Sequence, residues 1–200
     1  LAMDLVPTLF STGWASGVNA YLTVALLSLL GRSGVDAVPE ALQGNTVLTV
    51  ALGMFAIEFV TDKVPFLDSI WDTVHTAVRP AVGSALGVAF AGDANVTGLE
   101  EAYAGGGSGA TALVSHGVKA ALRLAINASP EPLSNILMSL FEDGLAAAVV
   151  AFSVEFPYIA AAIALLCLVL GVSLAYFLAT RIRRALGALR ERRRPPPRGI

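Results

Sequence analysis

From residue 158 to residue 180 the chain carries no Asp, Glu, Lys or Arg. That apolar run is long enough, at roughly 20 residues per crossing, to pass through the hydrocarbon core of a bilayer as one helix. Five further apolar segments come near the same length: residues 9–30, 46–60, 66–90, 110–126 and 133–156. The third of them contains Pro80 and is expected to break there. Composition agrees: 56% of the residues are hydrophobic and 14% charged, where a soluble domain carries about 25% charged residues. Mean hydropathy is +0.72. A soluble fold of this size has too little interior to hide so much apolar surface.

The expected architecture is therefore all-α: a polytopic transmembrane helical bundle of about six hydrophobic segments, some broken or re-entrant. Residues 1–180 read as one transmembrane domain. Residues 91–109, with Asp93, Glu100, Glu101 and a run of glycines, read as a loop, as do residues 31–44. After Thr180 come Arg181, Arg183, Arg184, Arg190, Arg192, Arg193, Arg194 and Arg198, with Pro195, Pro196 and Pro197. Residues 181–200 read as a basic, Pro-rich, disordered tail, whose arginines place it in the cytoplasm. Six crossings would put both termini there. No basic residue precedes the first apolar run, so that run reads as a retained span and not as a cleavable signal. The lone Cys167 excludes an intrachain disulfide and reads as packing.

Gly13, Ser16, Gly17 and Ala20 recur with the same spacing as Gly105, Ser108, Gly109 and Ala112. Pro65 with Asp68, and later Pro132 with Asn135, open a polar helical stretch in each half. Paired, Gly- and Pro-interrupted segments are the pattern of a transporter built from inverted repeats with a site near the midplane.

Three stretches of charge interrupt the apolar segments. Glu58, Asp62 and Lys63 lead into Asp68, Asp72, His75 and Arg79, and the last four step by three and four and share one helix face. His116, Lys119, Arg123 and Asn127 form a basic face. Asn135, Ser139 and Glu142 form a third, with Glu131 and Asp143 nearby. An ionised residue at the centre of a membrane helix costs about 2.5–3.5 kcal/mol, so these faces are expected to meet one another or water, with Asp68 or Asp72 near Lys119 or Arg123. Trp14 and Trp71 read as packing or belt residues.

The strings S-G-V-N-A-Y (16–21), E-F-V-T-D-K-V-P-F-L-D-S-I-W-D-T-V-H-T (58–76), R-P (79–80) and N-A-S-P-E-P-L-S-N (127–135) resemble those of a bacterial family of small membrane proteins of unknown function. The resemblance covers residues 13–151 and implies a bacterial inner-membrane location, with the polar strings at the family's core. It brings no activity with it.

The residues themselves point first to a transporter or channel for a small ion or polar solute, lined by Glu58, Asp62, Lys63, Asp68, Asp72, His75, Arg79, His116, Lys119, Arg123, Asn127, Asn135 and Glu142. An accessory or scaffold subunit of a membrane complex is the second reading. A lipid enzyme holding a divalent metal on Asp68 and Asp72 is the third, although no second aspartate cluster, nucleophile elbow or phosphate loop accompanies them. No cofactor is expected. The partners are the bilayer and the solute, with no nucleic acid, and the small-residue faces allow a homo-oligomer.

Overall fold

The computed structural model describes residues 4–64, 66–127 and 132–192. Pro65, Glu131 and the three prolines of the tail lie outside them. The described residues form seven α-helices and one short 3-10 turn, with no strand: α1 (Leu5–Val18), α2 (Ala20–Arg32), α3 (Asn45–Thr61), α4 (Leu67–Asp93), α5 (Leu99–Asn127), α6 (Pro132–Glu155) and α7 (Pro157–Arg192). The stretches Leu133–Glu155 and Pro157–Arg184 are each long and apolar enough to cross a membrane. With 56% hydrophobic residues and an outer surface of exposed leucine, valine and phenylalanine, this is a membrane protein.

The first expected span is not one helix. Asn19 adopts an extended conformation, φ −149° and ψ 100°, and separates α1 from α2. Its side chain caps the second helix by accepting from the Leu22 N–H at 3.0 Å, because an N-cap oxygen satisfies a donor that lacks a carbonyl partner.

Contacts fix which way each helix runs. α1 and α5 are parallel: the carbonyls of Leu9, Trp14 and Val18 accept in turn from Ser108, Ser115 and Lys119. α4 is antiparallel to α5, with Asp68 at Asn127 and Gly87 at Ala104. α6 is antiparallel to α1, with Thr8 at Ser153 and Asn19 at Asp143. α3 follows the direction of α1, since Glu58 meets Arg79 and, one turn on, Asp62 meets Lys119. α2 links the end of α1 to the start of α3, where Arg32 donates to Asn45 at 2.6 Å. It must therefore run back against α1. The two short helices form a hairpin whose tip, Asn19, sits beside the middle of α6.

This changes the expected topology. The Leu5 end of α1 and the Arg192 end of α7 lie at opposite ends of the bundle, where six crossings would have put both on one side. Pro80 is not a break either: α4 continues through it, its one lost backbone bond tolerated within a packed membrane-type helix. The expected loop at 91–109 is short, because α5 begins at Leu99 and takes in the whole glycine run. α7 also stays helical through Arg192, beyond residue 181 where the tail was expected to start, and its Ala, Leu and Arg content favours helix.

The glycines are where helices touch. A Cβ on Gly87 would strike the Ala104 carbonyl, one on Gly109 the Ser84 hydroxyl, and one on Gly17 the Ala112 carbonyl and the Ser115 hydroxyl. Such small-residue contacts let membrane helices approach backbone to backbone. They bind α1, α4 and α5 into the core on which the polar groups are mounted.

Candidate functional site

The charged faces turn inward and meet. Arg79 is wholly buried on α4. Its Nη2 lies 2.6 Å from Glu58 Oε1 and 3.1 Å from Asp72 Oδ1. Its Nη1 donates to the Gly17 carbonyl at 3.1 Å and to His116 Nδ1 at 2.8 Å. A guanidinium only donates, so His116 Nδ1 accepts; His116 Nε2, 3.0 Å from the Asp72 carbonyl, must then carry the ring hydrogen.

One helical turn along α5, Lys119 Nζ donates to Asp62 Oδ2 at 2.7 Å and to the Val18 carbonyl at 3.0 Å. Another turn on, Arg123 donates to Glu142 Oε2 from Nε at 3.1 Å and from Nη2 at 2.6 Å. Its Nη1 reaches the Asp62 carbonyl and Asn135 Oδ1, both at 2.8 Å. Asn135 Nδ2 donates to the same Asp62 carbonyl at 3.1 Å. Asp68 closes the row, accepting from Asn127 at 2.9 and 3.0 Å, with Arg123 Nη1 at 3.6 Å.

Two of the expected residues stand to the side. His75 Nδ1 donates to the Trp71 carbonyl at 2.8 Å, so in the neutral ring Nε2 accepts from the Tyr21 hydroxyl at 2.9 Å. Trp71 stacks on the His75 ring at 4.4 Å. Lys63 is half-buried, donating to the Phe59 carbonyl at 2.8 Å with its ammonium over the Phe59 ring.

The expected pairing is thus corrected in part. Asp68 does approach Arg123, but Asp72 pairs with Arg79 on its own helix, and Lys119 pairs with Asp62. Asp68 and Asp72, the suggested metal ligands, are engaged by different groups, and no cluster of three or more His, Cys, Asp or Glu suited to a metal occurs among the described residues.

Three participants fall outside the expected set. Asn19 Nδ2 donates to Asp143 Oδ1 at 2.8 Å, and Tyr21 holds His75. The signal for both was present in S-G-V-N-A-Y, where a polar Asn stands inside an apolar span. Asp143 lies one residue off the α6 face that carries Glu142. Asn19→Ala should lower stability by about 1–3 kcal/mol, because it removes a cap and leaves the buried Asp143 unpartnered. Asn19→Asp keeps the cap but sets two carboxylates together, so it should be no better than Ala. Thermal unfolding of the three proteins in one detergent checks this ordering.

The balance of charge is the most telling feature. Glu58, Asp62, Asp68, Asp72, Glu142 and Asp143 are buried, against Arg79, Lys119 and Arg123. Carboxylates outnumber buried cations two to one, and Lys63 adds only a half-buried charge at the edge. Glu58 Oε2, Asp62 Oδ1, Asp72 Oδ2 and Asp143 Oδ2 are buried without a hydrogen-bond partner. Uncompensated charge in a low-dielectric interior is strongly unfavourable, which makes these surplus carboxyl groups the place where the network can take up a proton or a cation.

The fold and site define a class: a helical membrane protein with a short antiparallel helix pair whose tip lies against a buried, acid-rich ion-pair network. Residues 6–176 match the family described as Domain of unknown function (DUF4126), and the chain belongs to that family. No curated protein and no solved structure matches it.

Proposed function

We propose that the protein is a transporter for a small ion or polar solute, driven through the network at the tip of the α1–α2 hairpin. The observation that carries this reading is the buried excess of carboxylates there. Equal numbers of opposite charges would complete a structural ion-pair lock by themselves, whereas the surplus leaves carboxyl groups that a proton or a cation can occupy. The broken helix supports the same reading. Irregular backbone at membrane depth persists where it is enclosed by protein or lines a cavity, and helix ends at such breaks are the ion sites of many transporters. Here the last carbonyls of α1, the negative end of its dipole, receive Arg79 and Lys119.

In this reading the protein is multi-pass in the bacterial inner membrane. The arginine-rich end of α7 faces the cytoplasm, which puts the start of α1 on the opposite face and the network in the cytoplasmic half.

Proteoliposome flux tests the proposal. Purified protein should carry protons or sodium, read by a pH or sodium dye, well above protein-free vesicles. Asp72→Asn combined with Arg123→Gln should cut the rate at least tenfold while the protein still elutes as a single folded species. Equal flux from the double variant would overturn the reading.

A further inference from the structure

Asp143 is the buried carboxylate that the cations of the network leave out. Glu58 and Asp72 meet Arg79, Asp62 meets Lys119, and Asp68 and Glu142 meet Arg123. Asp143 makes no ion pair with any described residue. Asn19 Nδ2 donates to its Oδ1 at 2.8 Å, and its Oδ2 is buried without a partner. The elements around it explain this. α1 and α2 hold no Asp, Glu, Lys, Arg or His from Leu5 to Gly31, and α7 holds none from residue 158 to residue 180. On α5, Lys119 and Arg123 are taken by Asp62 and Glu142. Glu142 beside it and Asp62 at the end of α3 add only negative charge.

One cation stands close by without a carboxylate partner. Lys63 Nζ donates to the Phe59 carbonyl at 2.8 Å and lies 3.0 Å from the centre of the Phe59 ring. On its other side, Ser139 Oγ is 3.5 Å away. Ser139 and Asp143 are four residues apart on α6, so they are neighbours on one face, with about 5–6 Å between their Cβ atoms. Asp143 is also the carboxylate that acts most strongly on the Lys63 ammonium, ahead of Asp62. The lysine stem is flexible. A change of rotamer carries the ammonium one turn along α6, from Ser139 to Asp143.

The chemistry of Asp143 favours a proton over a metal ion. Hard metal cations collect about six oxygen ligands, and no cluster of three or more His, Cys, Asp or Glu suited to a metal occurs among the described residues. A proton needs one free oxygen, which Oδ2 supplies.

We propose that Asp143 is the proton-binding group of the network and that Lys63 is its tethered substitute. With a proton on Oδ2 the acid is neutral, and the ammonium rests on Phe59. When the proton leaves to water, the ammonium moves to the carboxylate and pairs with it. The buried position is balanced in both states, so a bare carboxylate never stands in a low-dielectric interior. The role in carrying protons rests on the transport reading, but the exchange can be measured without flux.

Infrared pH-difference spectra of the full chain in lipid read the exchange, because a protonated carboxyl has a C=O band that the carboxylate lacks. Asp143→Asn keeps the shape of the side chain; it should remove one such band and cut proton flux at least tenfold. In Lys63→Met the same band should persist to a pH higher by about 1 unit or more, as for a carboxyl that has lost an opposite charge at close range. Lys63→Arg should return it to the original pH range. Spectra unchanged by Asp143→Asn would overturn the site, and a band that titrates at the same pH in Lys63→Met would overturn the exchange. Proton flux undiminished in Asp143→Asn would sink this inference alone. A Lys63-dependent Asp143 band without any flux would keep the pair and remove the transport reading.

Discussion

Replacing Arg79 with Met should destabilise the protein by about 3–5 kcal/mol, the cost of removing one partner from a buried ion pair, and should leave little folded protein at growth temperature. The side chain is 0% exposed and meets four groups: Glu58, Asp72, the Gly17 carbonyl and His116. Met leaves all four without it in an interior that already holds more carboxylates than cations. Arg79→Lys restores the charge but not the fork: one ammonium cannot reach four acceptors set at these angles, so it should fall between. Adding Glu58→Gln to Arg79→Met should recover part of the loss, since it removes one of the stranded charges. Thermal unfolding in a single detergent reads the series. An Arg79→Met protein as stable as the parent would mean that the network contributes nothing to folding.

The same charges explain how much of the fold is legible in the sequence. That the stripes at 68–79 and 116–127 face inward follows from cost alone, because charged faces are not left against lipid. Which acid meets which base does not follow, because it depends on the relative height of helices far apart in sequence. Asp72 to Arg79 is a contact along one helix, whereas Asp62 to Lys119 needs α3 to end at a particular depth. That depth depends in turn on the chain reversing at Asn19. Residues 9–30 have the length and hydropathy of a single crossing, and periodicity carries no sign that the chain reverses. The sign is one buried polar residue with an extended backbone.

The glycine run at 105–109 misled in the opposite way. Each glycine in a helix costs about 1 kcal/mol relative to alanine, which argues for a loop. Contact supplies what propensity lacks: Gly105 and Gly109 sit against α4 at Ser84, Val88 and Pro80, a gain no local window can see. Gly106 and Gly107, on the outer side of the same turn, have no atom within 4 Å of where a Cβ would stand. The run thus contains glycines that the packing requires and glycines that it does not.

Gly17 is the position where that distinction has the largest consequence. It lies two residues before the turn at Asn19. A Cβ there would overlap the Ala112 carbonyl and the Ser115 hydroxyl of α5. Ser115 could rotate, but the Ala112 carbonyl is helix backbone and cannot. Gly17→Val should therefore push α1 away from α5. It would also move the Gly17 carbonyl from Arg79 and the Val18 carbonyl from Lys119, so a packing defect becomes a defect of the ion pairs. Overpacking alone costs about 1–3 kcal/mol, and the displaced hydrogen bonds to charged groups add about 1.5–3 kcal/mol each. The expected result is loss of the folded species on size-exclusion chromatography. Gly107→Val is the matched control, the same substitution in the same bundle, and should stay within about 0.5 kcal/mol of the parent. If both variants behave alike, α1 does not seat on α5 at Gly17. The hairpin tip then cannot be what delivers backbone carbonyls to Arg79 and Lys119.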